Sequence, residues 1–332
     1  MTSTVLDAAV CLLLVSAGAV TLVTVPDAGG VAPEAGAGGD AVVGGVADAD
    51  DPDRADALAT TLTTATASVN YTLAPGARRA NGTRVAFPHT DGPQFERTSR
   101  GTLAGLLVDA TLAGIRVEGS RLDHTGDDFR RGVRARTLEA VGANTQVVAV
   151  WRPTAEGPVD GRVVVGPDPP ADRSVHAAVV RAPTGFAGGH DSAWTTADGA
   201  RPAEQATDET RAPDPAAGEE RERLARRVAG AVVTGLLPPS ETRFALHGDY
   251  PVSALTRHRY LRLAHLFGVD LDGSIAEDPA ETNVTRATRL LTAGLADSLS
   301  QSFRQSASSP GVDGPEITVG RVRITVRTWG AS

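Results

Sequence analysis

The sequence predicts an α+β protein carried on a single N-terminal transmembrane helix. Three observations lead there. Ala8–Val25 is a run of 18 residues without a charge. Short β-branched runs, separated by Pro and Gly, fill the middle of the chain, the pattern of a strand meander. The last third carries apolar stripes at helical spacing and ends on an alternating run, the signature of helices followed by a strand.

At about 1.5 Å per residue, the 18-residue run spans roughly 27 Å, close to a hydrocarbon core of about 30 Å. Pro26, Asp27, Gly29 and Gly30 stop it, so residues 1–26 are read as an anchor and membrane lipid as its first partner. Residues 27–53 are Gly, Ala, Asp and Pro with few large apolar groups. They bury too little to offset ordering entropy and are read as a flexible stalk.

Residues 54–182 form the predicted α+β half. Asp53 is placed to cap a helix through Ser68. A hairpin is expected over Tyr71–Phe87 around Ala80-Asn81-Gly82. Helices are expected over Thr102–Leu112 and from an Asp127 or Asp128 cap to Val141, with Gly142 at the end. The strand runs are Gln146–Trp151, Arg162–Val165 and Val175–Val180. Residues 183–218 are a Pro- and Gly-rich loop or linker. Residues 219–332 are the helical half, with helices over Glu219–Leu237, Ser253–Phe267 and Thr282–Phe303. At the end Val322, Ile324 and Val326 alternate with Arg321, Arg323 and Arg327. This strand is expected to join the meander and tie the halves into one unit.

Composition excludes several chemistries. All 32 basic residues are Arg. Without Lys there is no P-loop, no kinase strand lysine and no pyridoxal Schiff base. Cys11 is the single cysteine, so neither a disulfide nor a zinc framework is expected. The net charge is −8, with 40 acidic residues, which argues against a nucleic-acid partner. Asp outnumbers Glu 26 to 14, and this acid surplus with Arg in place of Lys is read as halophilic.

Four Asn occur, and three stand in N-x-[ST] sequons: Asn70, Asn81 and Asn283. They are candidate N-glycosylation sites. With the anchor, they orient the chain with its N-terminus inside and its bulk extracellular. No catalytic, cofactor-binding or metal-ligating constellation is found, and no enzymatic activity or cofactor is expected. Asp123, His124, Asp127 and Asp128 are either metal-type ligands or a polar loop ending in a helix cap. His190-Asp191-Ser192 gathers hydrolase residue types but lacks a G-x-S-x-G elbow. Arg257, His258, Arg259, Arg262 and His265 give one helix a basic side, read as a solvated face or a contact for acidic lipid or a partner. Trp151, Trp194 and Trp329 line a sugar site or pack in the core.

Asp7, at the edge of the apolar helix, is the remaining candidate. There it is either an interfacial acid or a partner for the α-amino group of a neighbouring subunit. A short leader, this acid and the apolar helix of residues 1–26 resemble haloarchaeal membrane-anchored proteins of the type IV pilin-like and secretion-associated kind. The resemblance implies a docking role for Asp7 and envelope or pilus-like subunits as partners. No basic processing site precedes the helix, and Pro26 ends it, so the implied role is an anchored, non-polymerising accessory subunit. An anchored extracellular hydrolase and a surface solute-binding module are the alternatives.

Overall fold

The computed structural model of the chain describes residues 53–82, 84–186, 215–307 and 317–330. The predicted anchor, most of the stalk, Asp7, His190-Asp191-Ser192 and Trp194 lie outside the described residues. No helix among the described residues is long and apolar enough to cross a membrane.

The described chain is α+β. Its first half runs α1 (Arg54–Thr64), β1 (Thr66–Thr72), α2 (Ala74–Ala80), β2 (Glu96–Thr102), α3 (Leu103–Leu112), β3 (Arg116–Val117), β4 (Ser120–Arg121) and α4 (Asp127–Val141). Strands β5 (Thr145–Trp151), β6 (Val159–Val165) and β7 (Val175–Pro183) follow. After them come α5 (Pro215–Leu236), α6 (Pro239–Leu246), α7 (Val252–Leu266), α8 (Val284–Ala307) and β8 (Arg321–Trp329).

Two antiparallel sheets form. One is the β1–β2 pair, and the other is six-stranded in the order β4-β3-β6-β5-β8-β7. The last strand therefore does not add to an edge. It inserts between β5 and β7, with Ala149 opposite Ile324 and Ile324 opposite Val180. Alternate residues on that face are apolar and buried: Val147, Ala149 and Trp151, then Val322, Ile324 and Val326, then Ala178, Val180 and Ala182. Period-two alternation places them together against α1 and α3.

The helical half closes on the sheet at two places. Trp151 donates from Nε1 to the Val319 carbonyl at 2.9 Å and meets Phe186 edge-on at 5.6 Å. The β5–β6 loop takes the Ser302 hydroxyl of α8 on the Glu156 carbonyl at 2.7 Å. At the other end, Tyr250 packs edge-on against Phe87 and Phe95 at 6.4 and 5.9 Å. That contact brings α7 over the first half.

Several expectations are corrected. There is no hairpin over Tyr71–Phe87: the Asn81-Gly82 turn follows helix α2, and β1 pairs instead with β2, Asn70 opposite Thr98. Residues 66–68 belong to that strand, so α1 ends at Thr64. Asp53 stands at its N-cap, but its side chain makes no capping hydrogen bond. Asp127 and Asp128 lie in the first turn of α4 rather than at its cap, which is Gly126. The ends of the 183–218 loop or linker are drawn in: Pro183 closes β7 and residues 215–218 belong to α5. Pro183 pairs with Arg321, the Thr184 amide donates to the Gly320 carbonyl at 2.9 Å, and α5 begins at Pro215. The meander is also broken, since β7 neighbours β8 and not β6.

One half-buried acid stands apart. Asp109 of α3 has no side-chain partner among the described residues, and burial pushes its carboxyl up to about 8. A raised acid keeps its proton in the folded chain between pH 4 and 8 while the unfolded chain loses it. Its contribution to stability therefore falls as pH rises through that window and is flat above it. Asp109→Asn is expected to be more stable than the native chain at pH 8 by about 2 kcal/mol, after allowance for partial solvent access. The gain should vanish at pH 4. Denaturant unfolding at the two pH values checks this, and a gain equal at both would be the contrary result.

Candidate functional site

The site forms where three local structures converge. The first is α2, a short helix with Pro75 in its first turn and Arg78 and Arg79 in its last. Ala77 and Ala80 bury its inner face, and Gly76 lets it touch the 123–126 loop. A Cβ at Gly76 would stand 2.4 Å from the Thr125 Cα, so only glycine permits this approach.

The second is the loop from β4 into α4. Asp123 is buried and folds the loop on itself, its Oδ1 accepting from the Thr125 amide at 2.9 Å and hydroxyl at 2.6 Å. Its other oxygen lies 3.1 Å from Nε of Arg259 on α7. Asp127 then gathers Arg79 at 2.9 Å, Nδ1 of His124 at 2.9 Å, and Arg121 in close contact. Burial alone would raise the Asp127 carboxyl, but the His124 hydrogen bond and the Arg121 charge hold it below the usual range.

The third is α7. His258, Leu261, Arg262 and His265 fall at i, i+3, i+4 and i+7 and present one stripe to the cleft. Arg262 donates from Nη2 to the Arg121 carbonyl at 3.3 Å. Burial lowers the His258 pKa, with Arg262 and Arg259 adding to the shift and Asp123 opposing it. The ring is neutral at neutral pH and lies edge-on to Phe87 at 6.4 Å.

These elements enclose a cleft of about 380 Å³, within the range of small-molecule sites. Arg79, Arg84, Arg121 and Arg262 line it, with His124, His258 and His265, and with Ala80, Leu122 and Leu261 as its apolar wall. Asp123 is the one acid in the lining. An anion meets guanidinium forks there, and an apolar body meets aliphatic side chains. Among the described residues no group of three or more His, Cys, Asp or Glu could hold a metal ion. The Asp123–Asp128 segment thus binds arginines. The basic side of α7 is only partly a solvated face: Arg257, His258, Arg259 and Arg262 are partly buried, while His265 is exposed.

The candidate asparagines sit elsewhere in the fold. Asn70 is on β1, Asn81 follows α2, and Asn283 precedes α8; all three are exposed. Trp151 and Trp329 are buried packing residues. The cleft itself was not foreseen from sequence. Its one signal was the i, i+4, i+7 recurrence of His258, Arg262 and His265, which by itself also describes a wetted helix.

The chain belongs to the Family of unknown function (DUF7284), whose model matches residues 6–329. No curated protein and no solved structure matches it.

Two substitutions probe the construction. Asp127→Asn leaves Arg79 and Arg121 without their shared carboxylate and is expected to cost about 2 kcal/mol at pH 7. A depressed carboxyl contributes stability above its unfolded pKa and loses it as pH falls through the folded one. The gap between native chain and variant should therefore begin to narrow only as pH falls below about 3.8. Unfolding curves followed from pH 7 down past pH 3.8 measure it, and a gap that narrows already above pH 3.8, or never narrows as the carboxyl is protonated, speaks against the ion-pair account. Gly76→Ala should cost about 1–3 kcal/mol by overpacking, read as a lower thermal midpoint, with Gly218→Ala, in open space and without a positive φ, as the control for glycine removal.

Proposed function

We propose that the chain is a membrane-anchored, exterior-facing protein of the cell envelope, acting by binding rather than catalysis. In this reading residues 1–26 are the anchor, residues 27–53 the stalk, and the described α+β unit the exterior body. Its role is that of a pilin-like or secretion-associated accessory subunit of a haloarchaeal envelope. Its partners are membrane lipid and other envelope subunits, not nucleic acid, and Asp7 is the docking contact for a neighbouring subunit.

The observation that carries the reading is the condition of the three sequon asparagines. Each is exposed, and each uses Oδ1 as an acceptor: Asn70 from the Thr98 hydroxyl, Asn81 from the Phe87 amide, Asn283 from the Arg286 amide. Nδ2, the atom a glycan takes, has no protein partner among the described residues at any of them. Buried or amide-engaged asparagines would have told against export. The acidic balance of the whole chain and the 18-residue uncharged run support the same assignment.

Intact mass of the protein isolated from its native membrane tests this directly. Residues 1–26 should be retained, and sugar increments should map to Asn70, Asn81 and Asn283. A mature chain beginning beyond Val25, or unmodified asparagines on protein recovered in the soluble fraction, would overturn it.

A further inference from the structure

We infer that the cleft between α2, the β4–α4 loop and α7 binds a small phosphomonoester, its phosphate among the four arginines and its organic body on Leu122 and Leu261. Nothing in this inference depends on which side of a membrane the unit faces.

The cleft carries unmatched positive charge. Asp127 is shared by Arg79 and Arg121, and Asp123 is taken up by Thr125 and Arg259. Arg84 and Arg262 have no ion-pair partner among the described residues, although both line the cleft. Nε of Arg121 is buried with no hydrogen-bond partner. A protein with net charge −8 has ample acid to neutralise such a cluster. Arg79 and Arg84 are exposed and reach the site from its rim, so the cost of unmatched charge falls on half-buried Arg121 and Arg262, and an anion relieves it.

The form of the cluster selects the anion. The guanidiniums come from four segments: α2, the stretch after it, β4 and α7. A carboxylate is planar and offers two oxygens, so it satisfies one or two forks. A phosphomonoester offers three terminal oxygens and up to two charges at neutral pH, enough to engage Arg84, Arg121 and Arg262 together. The histidines add donors, and His124 is held at Asp127 by Nδ1, leaving its other ring nitrogen to a ligand. Ala80, Leu122 and Leu261 have no role toward a bare inorganic ion. Their place in the lining, and a volume of about 380 Å³, call for an organic body beside the phosphate.

Calorimetric titration of the full chain in detergent, at constant ionic strength, tests this with four probes: adenosine monophosphate, glucose 6-phosphate, inorganic phosphate and adenosine. At least one of the two esters is expected to bind with one-to-one stoichiometry. Inorganic phosphate should bind at least tenfold more weakly, and adenosine should not bind. Arg262→Gln should weaken ester binding at least tenfold. Arg223→Gln, on an exposed i, i+4 pair with Glu219, should leave it unchanged. If Arg262→Gln shifts the unfolding midpoint, Arg84→Gln replaces it with the same expectation. Failure of both esters to bind overturns the inference. So does inorganic phosphate matching the ester, adenosine binding as well as its phosphate, or ester affinity indifferent to the cleft variants. None of these outcomes bears on the mass and glycan test of the envelope reading.

Discussion

The structure depends on the pairing of its last strand into the middle of its sheet. β8 contributes Val322, Ile324 and Val326 to the core, all fully buried, and both of its edges are hydrogen-bonded, to β5 and to β7. The contact spans more than 170 residues of chain between Thr145 and Thr328. Loop-closure entropy of that size is recovered only when the whole sheet is assembled. The two halves read along the sequence are thus not separately foldable units. Without β8, β7 has no neighbour in the sheet, and the face that covers α1 and α3 is cut in two. The cleft inherits this dependence, because α7 meets α2 and the β4–α4 loop only if the halves are held together.

Arginine is the second theme. In a chain without lysine, every cationic contact uses a planar fork. Some forks support backbone rather than charge: Arg130 and Arg134 of α4 donate to the carbonyls of Arg162 and Val164 at 2.9 Å, fastening the helix to β6. Others form exposed helix pairs, such as Arg226 with Glu222, where solvent leaves little net stabilisation. Those around Asp127 differ in kind. Two guanidiniums and an imidazole converge on one half-shielded carboxylate, which fixes three side chains with respect to one another. That preorganisation lets neighbouring Arg84 and Arg262 line a defined cavity rather than a mobile surface.

How much of this was legible in the sequence follows from where each element's information resides. α4, α7 and α8 announce themselves by periodic apolar residues, and β5 and β8 by β-branched runs, because burial on one face forces those patterns. β1 and β2 do not: Thr66–Thr72 and Glu96–Thr102 are polar, with two buried positions in the first and one in the second, and their pairing jumps over α2. The turn at Asn81-Gly82 is real, but a turn signal does not say what precedes it. α1 contains a run of threonines that resembles strand. Thr60, Thr61 and Thr64 instead bond their hydroxyls to carbonyls four residues back, a local satisfaction that only the folded helix reveals. The cleft was least legible of all. Its lining comes from three segments, and each alone reads as an ordinary feature: a basic helix side, a polar loop, the end of a short helix.

Net charge cannot make such a cleft selective. At about 1 M salt the Debye length is about 3 Å, so an anion is not steered from a distance. What survives screening is contact geometry: hydrogen bonds between a fork and an oxygen, in a recess where water and counterions are partly excluded. Lysine loses more under those conditions, since its ammonium acts as a hydrated point charge, whereas a guanidinium sheds water more readily and aims its donors. Under the proposed envelope reading, an acidic chain with arginines gathered at one cleft suits salty surroundings, because the inferred recognition would rest on directed bonds rather than long-range attraction.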